Sequence, residues 1–410
     1  MLKSKERYRD RFFLNYLIYT ALETDLLFFV VCDALFLTQV KQLTLVQYSR
    51  VTFLSLLFSL FIQYPLLKCI NRMGNRRTVR AGSIAMMLSA VCITFSTGFF
   101  MVLIGGFLKC IGHTFNAIGV AVLKNRLVSD HREDQYVAYQ SDANTAASAL
   151  MMLTALMFGY LFRLDEYLPM YACILFSLAG VAVSFYISRE DSRATDIVSA
   201  DSFRKKAKEQ KQFRTSQAVM IFISFAVLTA LTGTGLSYAR VNFQELLSGQ
   251  SLTTVAVALS TVTSLIYLIR GVSNIVLKGS YAAVGGRVVI IISSLSVCGL
   301  VLQLLPWIID TGGTAVLLCT GYLLLAFVRD PFITVVQNMS LESSELFKQQ
   351  GMLIALNGAK KAGALALSAA ATVLLKNHSI FIVMAVMTVA AFVNLLICLT
   401  IVLRRSPEKD

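Results

Sequence analysis

The sequence predicts an all-α membrane protein, with twelve transmembrane helices in two pseudo-symmetric six-helix bundles. Three observations predict it. Hydrophobic residues make up 56% of the 410 residues, and the mean hydropathy is +0.69. Apolar runs long enough to cross a bilayer, roughly 20 residues each, recur along the whole chain. Basic residues crowd into every second segment between those runs. In lipid the backbone polar groups must be satisfied within the chain, so such runs are helices. The short alternating segments of a transmembrane barrel do not occur.

The first run, 12–37, holds Glu23, Asp25 and Asp33. It is too long for a signal-peptide core and has no small-residue cleavage site, so it is expected to stay in the mature protein. Runs 45–67 and 79–97 flank a basic segment, 68–80. The fourth, 99–122, carries Lys109, His113 and Asn116 at i, i+4 and i+7, one stripe of a helix. The fifth, 138–162, contains the small residues Ala143-Asn144-Thr145-Ala146-Ala147, which suit close helix packing. After 168–188 comes the long polar stretch 189–214, a cytoplasmic linker. The seventh, 215–244, holds Thr232-Gly233-Thr234-Gly235, then Tyr238, Arg240 and Asn242. Two glycines there either break the helix and expose backbone to a solute or permit tight contact. Runs 252–277 and 288–306 precede 313–337, where Pro331 in Arg329-Asp330-Pro331 should kink the helix. The last two are 351–375 and 379–403. The expected domains are thus 1–188, a linker 189–214, and 215–410.

The net charge of +14 is mostly topology. Alternate segments hold 27 Lys and Arg on one side and only Lys41, Arg163 and Lys376 on the other. This bias places both termini in the cytoplasm and the chain in the cytoplasmic membrane. Basic residues scattered over short loops exclude nucleic acid as a partner. There is no Gly-x-x-x-x-Gly-Lys loop for ATP. The eight cysteines lie in or beside apolar runs with no Cys-x-x-Cys spacing, and the three histidines are dispersed, so neither metal nor other cofactor is expected. No soluble domain is left to house an enzyme.

The halves repeat faintly. Thr20-Ala21-Leu22 returns as Thr229-Ala230-Leu231, and Leu43-Thr44 as Leu252-Thr253, both at an offset of 209. Gly74 and Arg76 match Gly285 and Arg287 at 211, and Asn144 matches Asn357 at 213. A drifting offset is what duplication with small insertions leaves, and paired six-helix halves are a transporter architecture with the solute site near the midplane. The turn Asn71-Arg72-Met73-Gly74-Asn75-Arg76-Arg77 resembles the loop signature of the major facilitator superfamily between helices two and three. Gly285-Gly286-Arg287 stands where its second copy belongs. Asn71 replaces the family's usual aspartate, so a charge relay there is not expected. The resemblance implies a conformational turn built from Asn71, Arg72, Gly74, Arg76, Gly285 and Arg287. It also implies a central cavity lined by helices one, four, seven and ten.

Ionisable groups at membrane depth need partners. One facing lipid costs about 2.5–3.5 kcal/mol, so ten would cost about 25–35 kcal/mol, several times a typical protein's stability. Arg50 and Arg240 lie near helix ends and snorkel. On a continuous first helix Glu23 and Asp25 point about 160° apart, with Asp33 between them in angle. One of the two is therefore expected to face the cavity and the other to pair with a neighbouring helix. Lys109 is the natural counter-charge and His113 a titratable neighbour. Carboxylates on helix one facing a base on helix four resemble the proton-coupled drug antiporters of the superfamily. The Gly-Pro signature of their fifth helix is missing here. The structural alternative is a static Asp–Lys pair that fixes packing.

The expectation is a monomeric secondary transporter working by alternating access, proton-coupled, with export of an amphiphilic or drug-like solute. Its partners are that solute, protons and the bilayer. Proton coupling is assigned to Glu23, Asp25, Asp33 and His113. Solute binding is assigned to Lys109, Asn116, Thr232, Thr234, Tyr238, Asn242, Arg329 and Asp330. The alternatives are uptake or exchange of an anionic metabolite, a lipid flippase, and a non-transporting membrane sensor.

Overall fold

A computed structural model describes residues 10–197, 215–246, 252–305, 308, 314–342, 349–377 and 380–405. Among these every regular element is helical. In chain order they are α1 (Arg11–Glu23), α2 (Phe29–Leu35, running into a π turn Phe36–Val40), α3 (Leu45–Phe61), α4 (Gln63–Thr94) and α5 (Phe99–Asn116). Then come α6 (Gly119–Ser129), α7 (Tyr136–Leu164), α8 (Leu168–Ile197), α9 (Thr215–Leu246) and α10 (Leu252–Val284). The last are α11 (Val288–Leu304), α12 (Thr314–Glu342), α13 (Gln349–Asn377) and α14 (Ile380–Arg405).

These elements make up twelve membrane-crossing segments. The first is α1 with α2, the second α3 with the start of α4, and the fourth α5 with α6. The basic segment 68–80, expected between the second and third segments, is helical on either side of a kink at Gly74 that divides α4 into the end of the second segment and the third. Gly74 takes φ 74° and ψ 167°, a conformation that side chains with a Cβ avoid. A 54° bend at Ile62 separates α3 from α4. Gly285, in the matching turn of the other half, also has positive φ (60°). By length and apolarity alone, six helical stretches of the described residues qualify as spans, or seven with the bent pair. The first segment fails that test because it is broken.

The chain divides into two compact units. One comprises Met1–Gln210, Leu247–Gly271 and Glu345–Ile354, and the other Lys211–Leu246, Val272–Ser344 and Ala355–Asp410. In the first, α1 packs on α7 and α8, α4 on α5 and α8, and α3 on α5. In the second, α9 packs on α12 and α14, and α11 on α12 and α14. The third segment therefore meets the fourth and the sixth in both units, and the first meets the sixth. Small residues set both third–fourth seams, since lipid tails offer helices no hydrophobic drive to associate and close packing must hold them. Ser89 Oγ donates to the Gly105 carbonyl at 2.7 Å. In the second unit a Cβ on Gly299 would lie 3.1 Å from the Gly321 carbonyl oxygen, leaving the two backbones in contact.

Lys41, in the loop after the π turn, donates to the carbonyls of Thr94 (2.7 Å) and Ser96 (3.0 Å) and lies over the Tyr167 ring at 4.8 Å. A cation at a helix C-terminus is favourable. Burial draws its ammonium below the ordinary lysine range.

Candidate functional site

Helix one stops at Glu23 and resumes at Phe29. No glycine or proline interrupts 24–28, and the break is built from side chains. The Thr24 hydroxyl donates back to the Thr20 carbonyl. Asp25 Oδ1 accepts the Leu26 N–H at 2.7 Å, replacing a helical acceptor with a side chain. Phe28 sits at φ 65°. Leu26, Leu27 and Phe28 are each no more than 1% exposed, and this burial anchors an otherwise unfavourable turn. The expected 160° separation of Glu23 and Asp25 is thereby corrected, because Asp25 is not on a helix.

Asp25 meets the fourth segment. Lys109 Nζ lies 2.7 Å from Asp25 Oδ1, and His113 Nε2 lies 3.4 Å from the same oxygen. The three side chains are 23%, 24% and 33% exposed, so they are not sealed from their surroundings. Lys109 Nζ also lies 5.5 Å from the centre of the Phe29 ring, on the resumed helix. Asp33, on α2, is close enough for its charge to act on Lys109, and it accepts from the Tyr48 hydroxyl at 3.4 Å. Four ionisable side chains thus gather where helix one is open.

Glu23 is placed differently. It is 5% exposed and its Oε2 accepts the Asn116 amide at 2.7 Å. Asn116, the last residue of α5, stands at a second irregularity, the two-residue turn Ala117–Ile118 before α6. Lys109, His113 and Asn116 share a helix but divide between the two carboxylates. Sequence reasoning missed Gly82 and Gly180. A Cβ on Gly82 would fall on Asn116 Oδ1, and one on Gly180 on Glu23 Oε1. The only signal in the chain was two glycines inside long apolar helices, which many packing roles share.

At the matching place of the second unit the described residues give α9 and Thr232. α9 is continuous through Gly233, so the glycine does not break the helix, and among the described residues nothing within 4 Å would meet a Cβ there. Thr232 is 1% exposed and its hydroxyl donates to the Leu228 carbonyl at 2.9 Å. The side chains of Thr234, Tyr238, Arg240 and Asn242 lie outside the described residues. On α12, Asp330 is 8% exposed and Arg329 half-buried, and the helix runs unbroken through Pro331. Asn71, Arg72 and Arg76 are exposed around Gly74, as is Arg287 beside Gly285. Among the described residues no three metal-ligating side chains converge.

The family profile of the Major Facilitator Superfamily matches residues 12–260. No curated protein matches the chain. Among solved structures, a bacterial homologue of the iron transporter ferroportin in the outward-facing state superposes with a TM-score of 0.72 at 14% identity, covering 95% of this chain and 99% of the other. The same homologue with soaked iron gives 0.71 at 13%, covering 95% and 98%. The human organic anion transporter MFSD10 (TETRAN) gives 0.65 at 16%, covering 94% and 99%. At these identities the likeness is one of fold.

Proposed function

The chain belongs to the major facilitator superfamily, a transporter family, and on that premise we propose that it is a proton-coupled secondary transporter whose coupling site is Asp25 with Lys109 and His113. The observation that carries this reading is the partly exposed ion cluster at the break in helix one. A discontinuous helix at membrane depth is tolerated where it lines a cavity, and there it presents groups to a solute or ion. While Asp25 is ionised, it holds Lys109 and the two segments stay joined. A proton on Asp25 removes that attraction, so the seam between helix one and helix four has two arrangements that protonation selects. His113 and Asp33 are the neighbours through which the proton arrives or leaves. Both termini face the cytoplasm, as the distribution of basic residues favours.

Export of an amphiphilic, drug-like solute against the proton gradient is the first reading of the cargo, supported by Phe29 and Tyr48 beside the charged groups. A second reading is an anionic solute. Lys109 and His113 both face one carboxylate, and once that carboxylate is protonated an anion can take its place. The iron and the organic anions named for similar folds belong to those proteins. Proteoliposomes under an imposed pH gradient separate the readings, with ethidium as the amphiphilic cation and carboxyfluorescein as the amphiphilic anion. Gradient-driven movement of one probe that Asp25→Asn abolishes is expected. Equal movement in wild type and Asp25→Asn sinks the coupling role.

A further inference from the structure

The ion cluster leaves one buried acid unused. Glu23 lies two residues from Asp25 yet makes no ion pair among the described residues. From α5 it is faced by Asn116, from α4 by Ser83, from α8 by Gly180, and on its own helix by Tyr19. Tyr19 is the titratable group near enough to feel its charge. No cation faces it from these elements. Three polar atoms in this pocket are buried without a partner: Glu23 Oε1, Asn116 Oδ1 and the Tyr19 hydroxyl. Two of the three are acceptors on the two members of one hydrogen-bonded pair.

A carboxylate in such a place is held by neutral donors alone, the Asn116 amide N–H and the Ser83 hydroxyl, too little to offset the loss of water around a charge. One proton changes the inventory, because a neutral carboxyl has an O–H to donate as well as oxygens that accept. Turning the Asn116 amide over does not remove the need. Its oxygen would then face Glu23 Oε2, and only a proton could sit between two acceptors. Gly82 and Gly180 close the pocket so tightly that a single added methyl would displace one member of the pair.

We infer that Glu23 and Asn116 form a second proton-binding site, separate from the Asp25 cluster, in which Glu23 is carried as the neutral acid and locks the end of α1 to α4, α5 and α8. The lock gives up its proton only when α1 withdraws from α5, since no opposite charge awaits the carboxylate inside. This inference stands whether or not Asp25 couples transport.

Infrared spectroscopy of the full chain in liposomes tests it through the carbonyl stretch of a protonated carboxylic acid. That band is expected in wild type and in Asp25→Asn, absent in Glu23→Gln, and displaced in Asn116→Ala, which removes its amide partner. Labelling wild type with carboxyl-13C glutamate should shift it, an assignment that needs no variant to fold. A wild-type spectrum without such a band overturns the proposal. So does a band that survives Glu23→Gln or ignores the label. Failure of the Asp25 reading would appear in flux alone and leave this band in place.

Discussion

The first and seventh segments hold equivalent places in their units and differ in nearly everything else. Each packs on the sixth helix of its own unit, α8 or α14. Each contains the Thr-Ala-Leu repeat. Yet the first is broken over 24–28 and brings Glu23 and Asp25 to separate partners, while α9 runs unbroken and Thr232, at the position of Glu23, bonds its own backbone. The two segments share their packing, while the chemistry of Glu23 and of Thr232 differs. An apolar scaffold tolerates a threonine that returns its hydroxyl to the helix, whereas a carboxylate must be given a cation, a donor or a proton.

That contrast can be broken by substitution. Lys109→Leu should be the most damaging change, lowering stability by about 2–3 kcal/mol because it strands a partly buried Asp25. Combining it with Asp25→Asn should restore most of the loss, and a denaturant titration of the purified chain reads both. Gly180→Ala should follow, at about 1–3 kcal/mol, because the new methyl lands on the Glu23 carboxylate. Its counterpart for the seventh segment, Gly233→Ala, meets no described atom within 4 Å and should stabilise by about 0.5–1 kcal/mol. If the two glycines responded alike, the first segment would not be the more tightly built. Gly74→Ala and Gly285→Ala should each cost about 1–2 kcal/mol, since both residues have positive φ. Unequal losses would show that the two turns have diverged as the helices have. Thr232→Ala should shift the thermal midpoint least, by the equivalent of about 0.5 kcal/mol or less, as only a local back-bond is lost.

The sequence made the scaffold legible because hydropathy and charge asymmetry act over whole segments. The helices overlap the apolar runs, with α8 and α10 extending past 188 and 277 to Ile197 and Val284, and the basic segment 68–80 keeps helical residues on both sides of the Gly74 kink. Gly74 was legible as a tight bend. The break in helix one was not, since Thr24, Asp25 and Phe28 are residues that helices often accommodate. Only a side chain capping its own backbone and the burial of Leu26 to Phe28 produce it. The proximity of Asp25 to Lys109 was legible from charge bookkeeping, because few cations at that depth were on offer. The Glu23–Asn116 pair was not, because it depends on two distant glycines that remove steric bulk and leave no pattern of their own.

The account rests on protonation of Asp25 driving the seam between helix one and helix four. The most direct measurement compares, in proteoliposomes of Asp25→Asn, solute exchange without a gradient and accumulation under a pH gradient, using whichever of the two probes wild type moves. Exchange retained with accumulation lost is the predicted result, a transporter that still cycles but no longer feels the proton. Accumulation undiminished alongside exchange would contradict it.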